Sequence, residues 1–178
     1  MPDAAFIVAA PDARGPTRYA ILPSPIGDLL FTADAAGLTG LYMTPHKDRP
    51  AKTAAWVRDE RALAPAASQM KAYFAGELTA FHLKLAPVGT DFQLRVWRAL
   101  LDIPYGETTT YGALARRLGN ANASRAVGLA NGQNPISIVV PCHRVVGSDG
   151  SLTGYGGGLD RKRFLLEHEA KNAFRLRP

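Results

Sequence analysis

At 178 residues and 47% hydrophobic, the chain can bury a core without covalent staples as one compact unit or two small subdomains. Its one cysteine excludes an intramolecular disulfide and a cysteine-rich zinc site, and His46, His82, His143 and His168 lack metal-ligand spacing, so neither metal nor cofactor is expected. The net charge of +6 is uneven, with nine Lys/Arg against eight Asp/Glu in residues 1–90 and twelve against seven in residues 91–178, which favours a polyanion partner for the second half.

No basic region followed by an apolar core opens the chain and no apolar run approaches a membrane span, so the expected location is the cytoplasm, with no membrane partner. Residues 1–17, rich in Ala, Pro and Asp, read as a loose extension. Tyr19–Leu22, Leu29–Thr32 and Leu38–Tyr42 are apolar runs separated by Pro/Gly/Asp turns, the pattern of an antiparallel meander. His46 to Ala55 is polar and reads as a loop. Leu63, Ala67, Met70 and Phe74 share one face of a helix that Gly76 ends, and Phe81, Leu83 and Leu85 alternate with polar residues as one more strand. This half offers no constellation that suggests chemistry.

The second half opens on Thr90-Asp91-Phe92-Gln93, a capping box, and a helix with Phe92, Val96, Trp97 and Leu100 on its apolar face. After a turn at Ile103–Gly106, Thr110 is placed to cap a helix from Tyr111 to Leu118, and Ser124 a second from Arg125 to Gly132. Two short helices across a four-residue turn fit a helix-turn-helix as well as a plain packing unit. The second helix breaks the tie, because its small residues and two glycines cost stability and imply either tight packing on another element or close approach to a ligand backbone, of which a narrow minor groove is one.

Ile136–Val140 reads as a strand leading to Pro141-Cys142-His143-Arg144-Val145. A thiol beside an imidazole and a guanidinium is a candidate nucleophile, since a base or positive charge raises the thiolate population; a lone buried cysteine is otherwise an inert hydrophobe. Gly147–Gly150 reads as a turn, and Thr153–Gly158 as an adaptable loop with accessible amides and one aromatic ring, Tyr155. Asp160 is expected to cap a final helix with Phe164 and Leu165 inward.

Gly89–Gln93, Ile103–Thr108, Tyr111-Gly112, Ser124–Gly128, Asn131–Pro135, Pro141–Val145, Gly154–Gly158 and Leu165–Glu169 together resemble, in order and spacing, the O6-alkylguanine-DNA alkyltransferases of the bacterial, constitutive type. The resemblance implies a mixed α/β (α+β) fold: an extension over 1–17, a small ribonuclease H-like α/β subdomain over 18–88, and a winged helix-turn-helix-type subdomain over 89–178 that carries the active-site cysteine. It implies irreversible, single-turnover transfer of an alkyl group from O6-alkylguanine in duplex DNA, with activity on O4-alkylthymine as a further expectation, after minor-groove binding and base flipping.

By the same resemblance Cys142 is the alkyl acceptor, His143 polarises a water beside it, Glu169 orients the histidine and Asn134 is the hinge between the second helix and the active-site segment. Tyr111 and Arg125 serve DNA binding and base extrusion, with Ala126, Gly128 and Ala130 on the helix that meets DNA. Tyr111, Val145, Tyr155 and Gly156 line the alkylated-base pocket, where the Cys142 and Val145 carbonyls read the guanine amino group. Some relatives carry Ser in place of Gly156, so this chain keeps the backbone donor there without a hydroxyl. The expected state is a monomer that can assemble cooperatively on DNA. Two readings compete: a cysteine hydrolase built on Cys142, His143 and Glu169, which would turn over, and a DNA-binding module without chemistry.

Overall fold

The computed structural model describes residues 5–6, 14–44 and 50–175. The mixed α/β chain has a sheet domain at its N-terminal end and a helical domain at its C-terminal end. The expected meander is β2 (Arg18–Leu22), β3 (Leu29–Asp34) and β4 (Gly37–Met43), paired antiparallel. β1 (Ala5–Phe6), β5 (Val57–Arg58) and β6 (Lys84–Leu85) complete a six-stranded sheet in the order β1-β6-β4-β3-β2-β5. The loose extension is therefore not loose at Ala5–Phe6, which pairs parallel with β6, nor at Arg14, which forms an ion pair with Asp34 at 2.9 Å. The strand expected over Phe81–Leu85 shortens to β6, and His46 falls outside the described residues.

Helix α1 (Glu60–Phe74) starts where the Asp59 side chain accepts the Ala62 amide, and it buries Leu63, Ala66, Met70 and Tyr73 against the sheet. The buried stripe is thus turned one residue from the expected one, with Tyr73 rather than Phe74 at its end. In the helical domain, α2 (Asp91–Leu101) carries the full capping box of Thr90 and Gln93. Trp97 on α2 donates its indole N–H to the Ala130 carbonyl at 2.8 Å, fastening α2 to α4 (Ser124–Gly132). α3 (Tyr111–Arg117) is capped by Thr110 as expected. Ser124 is not a cap: a 3-10 turn at Ala121–Ala123, itself capped by Asn120, feeds directly into α4. Asp160 likewise lies inside the first turn of α5 (Leu159–Arg175), where Leu165 is buried and Phe164 is exposed.

Ile136–Val140 is not a strand. Beyond Leu38, where β6 stops, the free edge of β4 takes up this segment: Leu41 N–H donates to the Pro135 carbonyl at 2.8 Å and Ser137 N–H to the Leu41 carbonyl at 3.1 Å. The chain then turns sharply through Ile138, whose φ of 72° is a left-handed conformation in a β-branched, fully buried residue. Such a conformation costs about 1–2 kcal/mol, and the surrounding core and the β4 edge hold it. β8 (Val145–Val146) follows the cysteine and pairs parallel with β7 (Thr109–Thr110), tying the active-site segment to the start of α3.

The two caps make a stability test. Thr90→Ala removes the bond to the Gln93 amide and lowers unfolding free energy by about 1 kcal/mol, whereas Ser124→Ala leaves it within about 0.5 kcal/mol. Urea unfolding of both variants checks this, and an equal loss from both would contradict the assignment of α4.

Candidate active site and nucleic-acid interface

Cys142 opens a single 3-10 turn, Cys142–Arg144, and is only 4% exposed. The Asn134 amide donates to its Sγ at 3.0 Å and to the Val140 carbonyl at 2.8 Å, while its oxygen accepts the Ile136 N–H at 3.0 Å. One side chain thus links the end of α4 to the thiol and to the strained turn before it. Asn131, one α4 turn earlier than the sequence argument looked, donates to the Cys142 carbonyl at 3.3 Å. Burial pushes the thiol up to about 11, against the opposing pull of the Asn134 bond and the Lys162 charge. At neutral pH the sulfur of the free protein is protonated, so the expectation of a thiolate raised by His143 and Arg144 fails at rest.

The reason is where those neighbours point. Arg144 turns away from the sulfur, donating through Nε to Glu169 Oε2 at 2.8 Å, through Nη2 to Glu169 Oε1 at 3.0 Å and through Nη1 to the Ile103 carbonyl at 2.5 Å. His143 Nε2 lies 2.8 Å from Glu169 Oε1, and the Gly106 amide reaches Oε2 at 3.2 Å. Burial alone would raise the Glu169 carboxyl, but the His143 and Arg144 interactions outweigh it and hold the acid well below the usual carboxylate range. Burial also lowers His143, in spite of Glu169, which keeps the imidazole neutral. With an ionised carboxylate at Nε2, the imidazole proton sits there and Nδ1 keeps its lone pair. That Nδ1 is buried without a protein partner among the described residues. The arrangement is a neutral imidazole oriented by an ionised carboxylate, in the residue next to the thiol.

Gly106 occupies a position that no other residue fits: its φ is +77°, and a Cβ there would lie 2.6 Å from the Ala173 side chain. Its amide is thereby brought under the carboxylate. The turn Ile103–Gly106 was legible as a turn; its role as part of the Glu169 cradle was not.

Lys162 of α5 is fully buried and donates to the Val145 carbonyl at 2.6 Å and the Thr153 carbonyl at 2.7 Å. Burial lowers it to about 8, with the nearby cysteine opposing. Tyr111 donates its hydroxyl to the same Thr153 carbonyl at 3.0 Å. Lys162 thus pins both the pocket carbonyl and the start of the glycine loop, and nothing in the sequence pattern singled it out. Within that loop Tyr155 is half-buried with its hydroxyl toward Met43, and Gly157 packs on Met43 so closely that a Cβ would lie 2.7 Å from the sulfur. Gly156, next in the chain after Tyr155, is half-buried, and Val145 is buried. Arg161 donates to the Gly157, Ile26 and Thr44 carbonyls, so the loop is folded onto the sheet domain.

The outer face of α4 carries Arg125 and Ala126, both exposed, with Gly128 half-buried beside the Tyr111 ring. Ala130 does not share this face: it is 2% exposed and turned inward with Val127 and Asn131, because a step of five from Arg125 lands on the far side of a helix. Leu129, 66% exposed and four residues after Arg125, takes its place. A Cβ at Gly128 would meet the Tyr111 ring at an ordinary 3.6 Å, and one at Gly132 would meet nothing within 4 Å. Packing within the chain therefore does not require a glycine at either position.

A family model described as the 6-O-methylguanine DNA methyltransferase DNA binding domain matches residues 91–171, and one described as the ribonuclease-like domain of the same methyltransferase matches residues 17–87. The chain is 54% identical over 151 residues to a "Methylated-DNA--protein-cysteine methyltransferase" of Methanosarcina acetivorans, covering 85% of this chain and 97% of that protein. It is 54% identical over 156 residues to the protein of that name in Mycobacterium bovis, covering 88% and 94%. Among solved structures, the O6-methylguanine methyltransferase of Mycobacterium tuberculosis superposes with a TM-score of 0.82 at 53% identity, covering 88% of this chain and 94% of that one. A structure of the Mycobacterium tuberculosis OGT in complex with DNA matches with the same TM-score and identity, covering 87% and 94%.

The protonated resting thiol is directly measurable. Iodoacetamide labelling of Cys142 in the free protein, followed by peptide mass spectrometry, rises about tenfold per pH unit from pH 7 to 10 without a plateau. At pH 7.5 it is at least about tenfold slower than labelling of a free thiol. A plateau reached by pH 8 would show a pre-formed thiolate.

Proposed function

The chain belongs to the 6-O-methylguanine DNA methyltransferase family, with methyl transfer from methylated DNA to a protein cysteine as its activity, and we propose that Cys142 accepts the alkyl group of O6-alkylguanine once and irreversibly. The observation that carries this reading is the Asn134 amide, bonded at 3.0 Å to the Cys142 sulfur from the end of the helix whose outer face is free of packing demands. A helix suited to a narrow groove and a reactive sulfur are joined by one residue.

The chemistry balances without cofactor. The Cys142 thiol gives its proton toward the free Nδ1 of His143, by way of a water as the family resemblance implies. The sulfur then attacks the alkyl carbon in an SN2 displacement, the S–C bond forming as the C–O6 bond breaks with its electron pair going to the base. Guanine takes up one proton, equal to the one the thiol lost. The thioether has no hydrolytic route comparable to a thioester, so each chain acts once. Glu169 holds His143 in the tautomer this requires, with Asn134 bracing the thiol.

Stacked guanine keeps O6 away from a protein pocket, so the base is extruded, at a cost of a few kcal/mol that a weakened alkylated pair reduces. Arg125 fills the gap in the stack, Ala126, Gly128 and Leu129 follow the minor groove, and Tyr111 rotates the phosphate and bonds the extruded base. Val145, Tyr155 and Gly156 line its pocket. The Cys142 and Val145 carbonyls already accept bonds from Asn131 and Lys162, and each retains a second lone pair for the guanine amino group. The reading divides the chain at 88/89 after a short extension and makes it a cytoplasmic monomer that assembles on DNA. O4-alkylthymine is a secondary substrate.

Mixing the protein with an equimolar duplex carrying one O6-methylguanine tests this. The expected result is one methyl per chain, mapped to Cys142 by peptide mass spectrometry, with Cys142→Ser binding the duplex and gaining none. An unchanged mass on a bound duplex would leave a lesion-recognising protein without transfer chemistry, and continuing turnover would make it a hydrolase.

A further inference from the structure

We infer that Tyr73, on α1 of the sheet domain, is a positioning residue for alkyl transfer: its hydroxyl donates to the Glu169 oxygen that holds His143 and thereby sets how strongly that carboxylate supports the imidazole. The inference rests on the transfer reading above. The Tyr73 hydroxyl reaches Glu169 Oε1 at 2.8 Å, the same oxygen that accepts from His143 Nε2 at 2.8 Å and Arg144 Nη2 at 3.0 Å. An oxygen shared among three donors gives less to each, so the phenol competes directly with the imidazole.

A phenylalanine would fill the space as well. The Tyr73 ring is fully buried and packs at centroid distances of 5.5 Å on Phe81, 6.0 Å on Tyr105 and 5.2 Å on His168. A hydroxyl in such surroundings is costly unless bonded, and its partner here is the carboxylate. The phenol is also fixed from outside the site. His168 Nε2 donates to the Tyr73 carbonyl at 2.8 Å, and the helix ends at Gly76, where a Cβ would sit 2.5 Å from the Asn172 side chain of α5. Burial, with Glu169 second, raises Tyr73 well above its ordinary value, so the hydroxyl keeps its proton throughout the working range.

The other charged and titratable groups facing the Glu169–His143 pair are Arg144 from the 3-10 turn, Tyr105 from the turn before β7, Lys162 from α5 and Tyr155 from the glycine loop. Tyr73 alone among them comes from the sheet domain. Through it, a domain with no nucleophile or base of its own reaches the reacting groups.

The test is the single-turnover rate of methyl transfer from an O6-methylguanine duplex, measured from pH 5.5 to 9 for the wild type and Tyr73→Phe, with duplex affinity alongside. Without the hydroxyl the carboxylate leans more on His143, the imidazole gains a proton more readily, and the acid limb of the profile moves up by about half a unit. On the acid limb the rate falls by about threefold, while at pH 7.5 the rate and the duplex affinity both stay within about twofold. A profile identical to wild type, or a uniform loss with the acid limb in place, overturns the inference and leaves Tyr73 as packing. A wild type that gains no methyl overturns the transfer reading, and with it any role in that reaction. If Tyr73→Phe fails to fold, NMR of the wild type decides: a slowly exchanging Tyr73 hydroxyl proton close in space to the His143 ring supports the contact, and rapid exchange with water overturns it.

Discussion

A carboxylate with no access to water organises this molecule. Taking Glu169 out of solvent as an anion would be prohibitive without partners, and it has five hydrogen bonds: two from Arg144 and one each from His143, Tyr73 and the Gly106 amide. These donors come from the 3-10 turn after the cysteine, from α1 of the sheet domain and from the turn after α2. Satisfying one charge therefore sets the mutual position of α5, the active-site turn and the N-terminal helix. The tautomer of His143 follows from the same constraint, because the ionised oxygen claims the Nε2 proton.

The same burial that demands this network suppresses the thiol. At about 11, Cys142 is held as its unreactive form, and the nearest full positive charge, the Lys162 ammonium, is itself weakened to about 8. On the proposed single-transfer reading such latency spares the sulfur accidental alkylation or oxidation. The thiol is tied to the backbone before it through Asn134, which touches the sulfur, the Val140 carbonyl and the Ile136 amide together. The strain at Ile138 sits inside this loop of contacts, held by the β4 edge and by core packing on every side. The turn that presents the cysteine is thus a product of both domains.

How much of this could be read along the chain depends on range. The meander, the capping box, the Thr110 cap and the helix-turn-helix were legible because alternation, caps and turn residues act within a few positions. Ser124 and Asp160 carried cap-like signals that were defeated by neighbours: a 3-10 turn reached α4 first, and α5 began one residue before its supposed cap. Ile136–Val140 has the composition of a strand, yet docking on the β4 edge and the left-handed Ile138 made it a buried turn. Ala130 was misplaced by treating small size as exposure, where helical phase decides.

The grouping of Cys142 with Asn134, and of His143 with Glu169, was expected from the resemblance to a family and is present as hydrogen bonds, and local pattern alone marked Cys142 as a candidate. Only the tertiary structure decided that Arg144 faces the carboxylate instead of the sulfur, that the thiol rests protonated, and that Tyr73, Gly106 and Lys162 complete the site. The physical reason is that ionisation and hydrogen bonding are set by burial and by partners dozens of residues away, as Tyr73 is from Glu169, and no periodicity encodes them. The sequence determined most of the elements and marked the candidate thiol; the packing of one buried charge decided how the groups around it are poised.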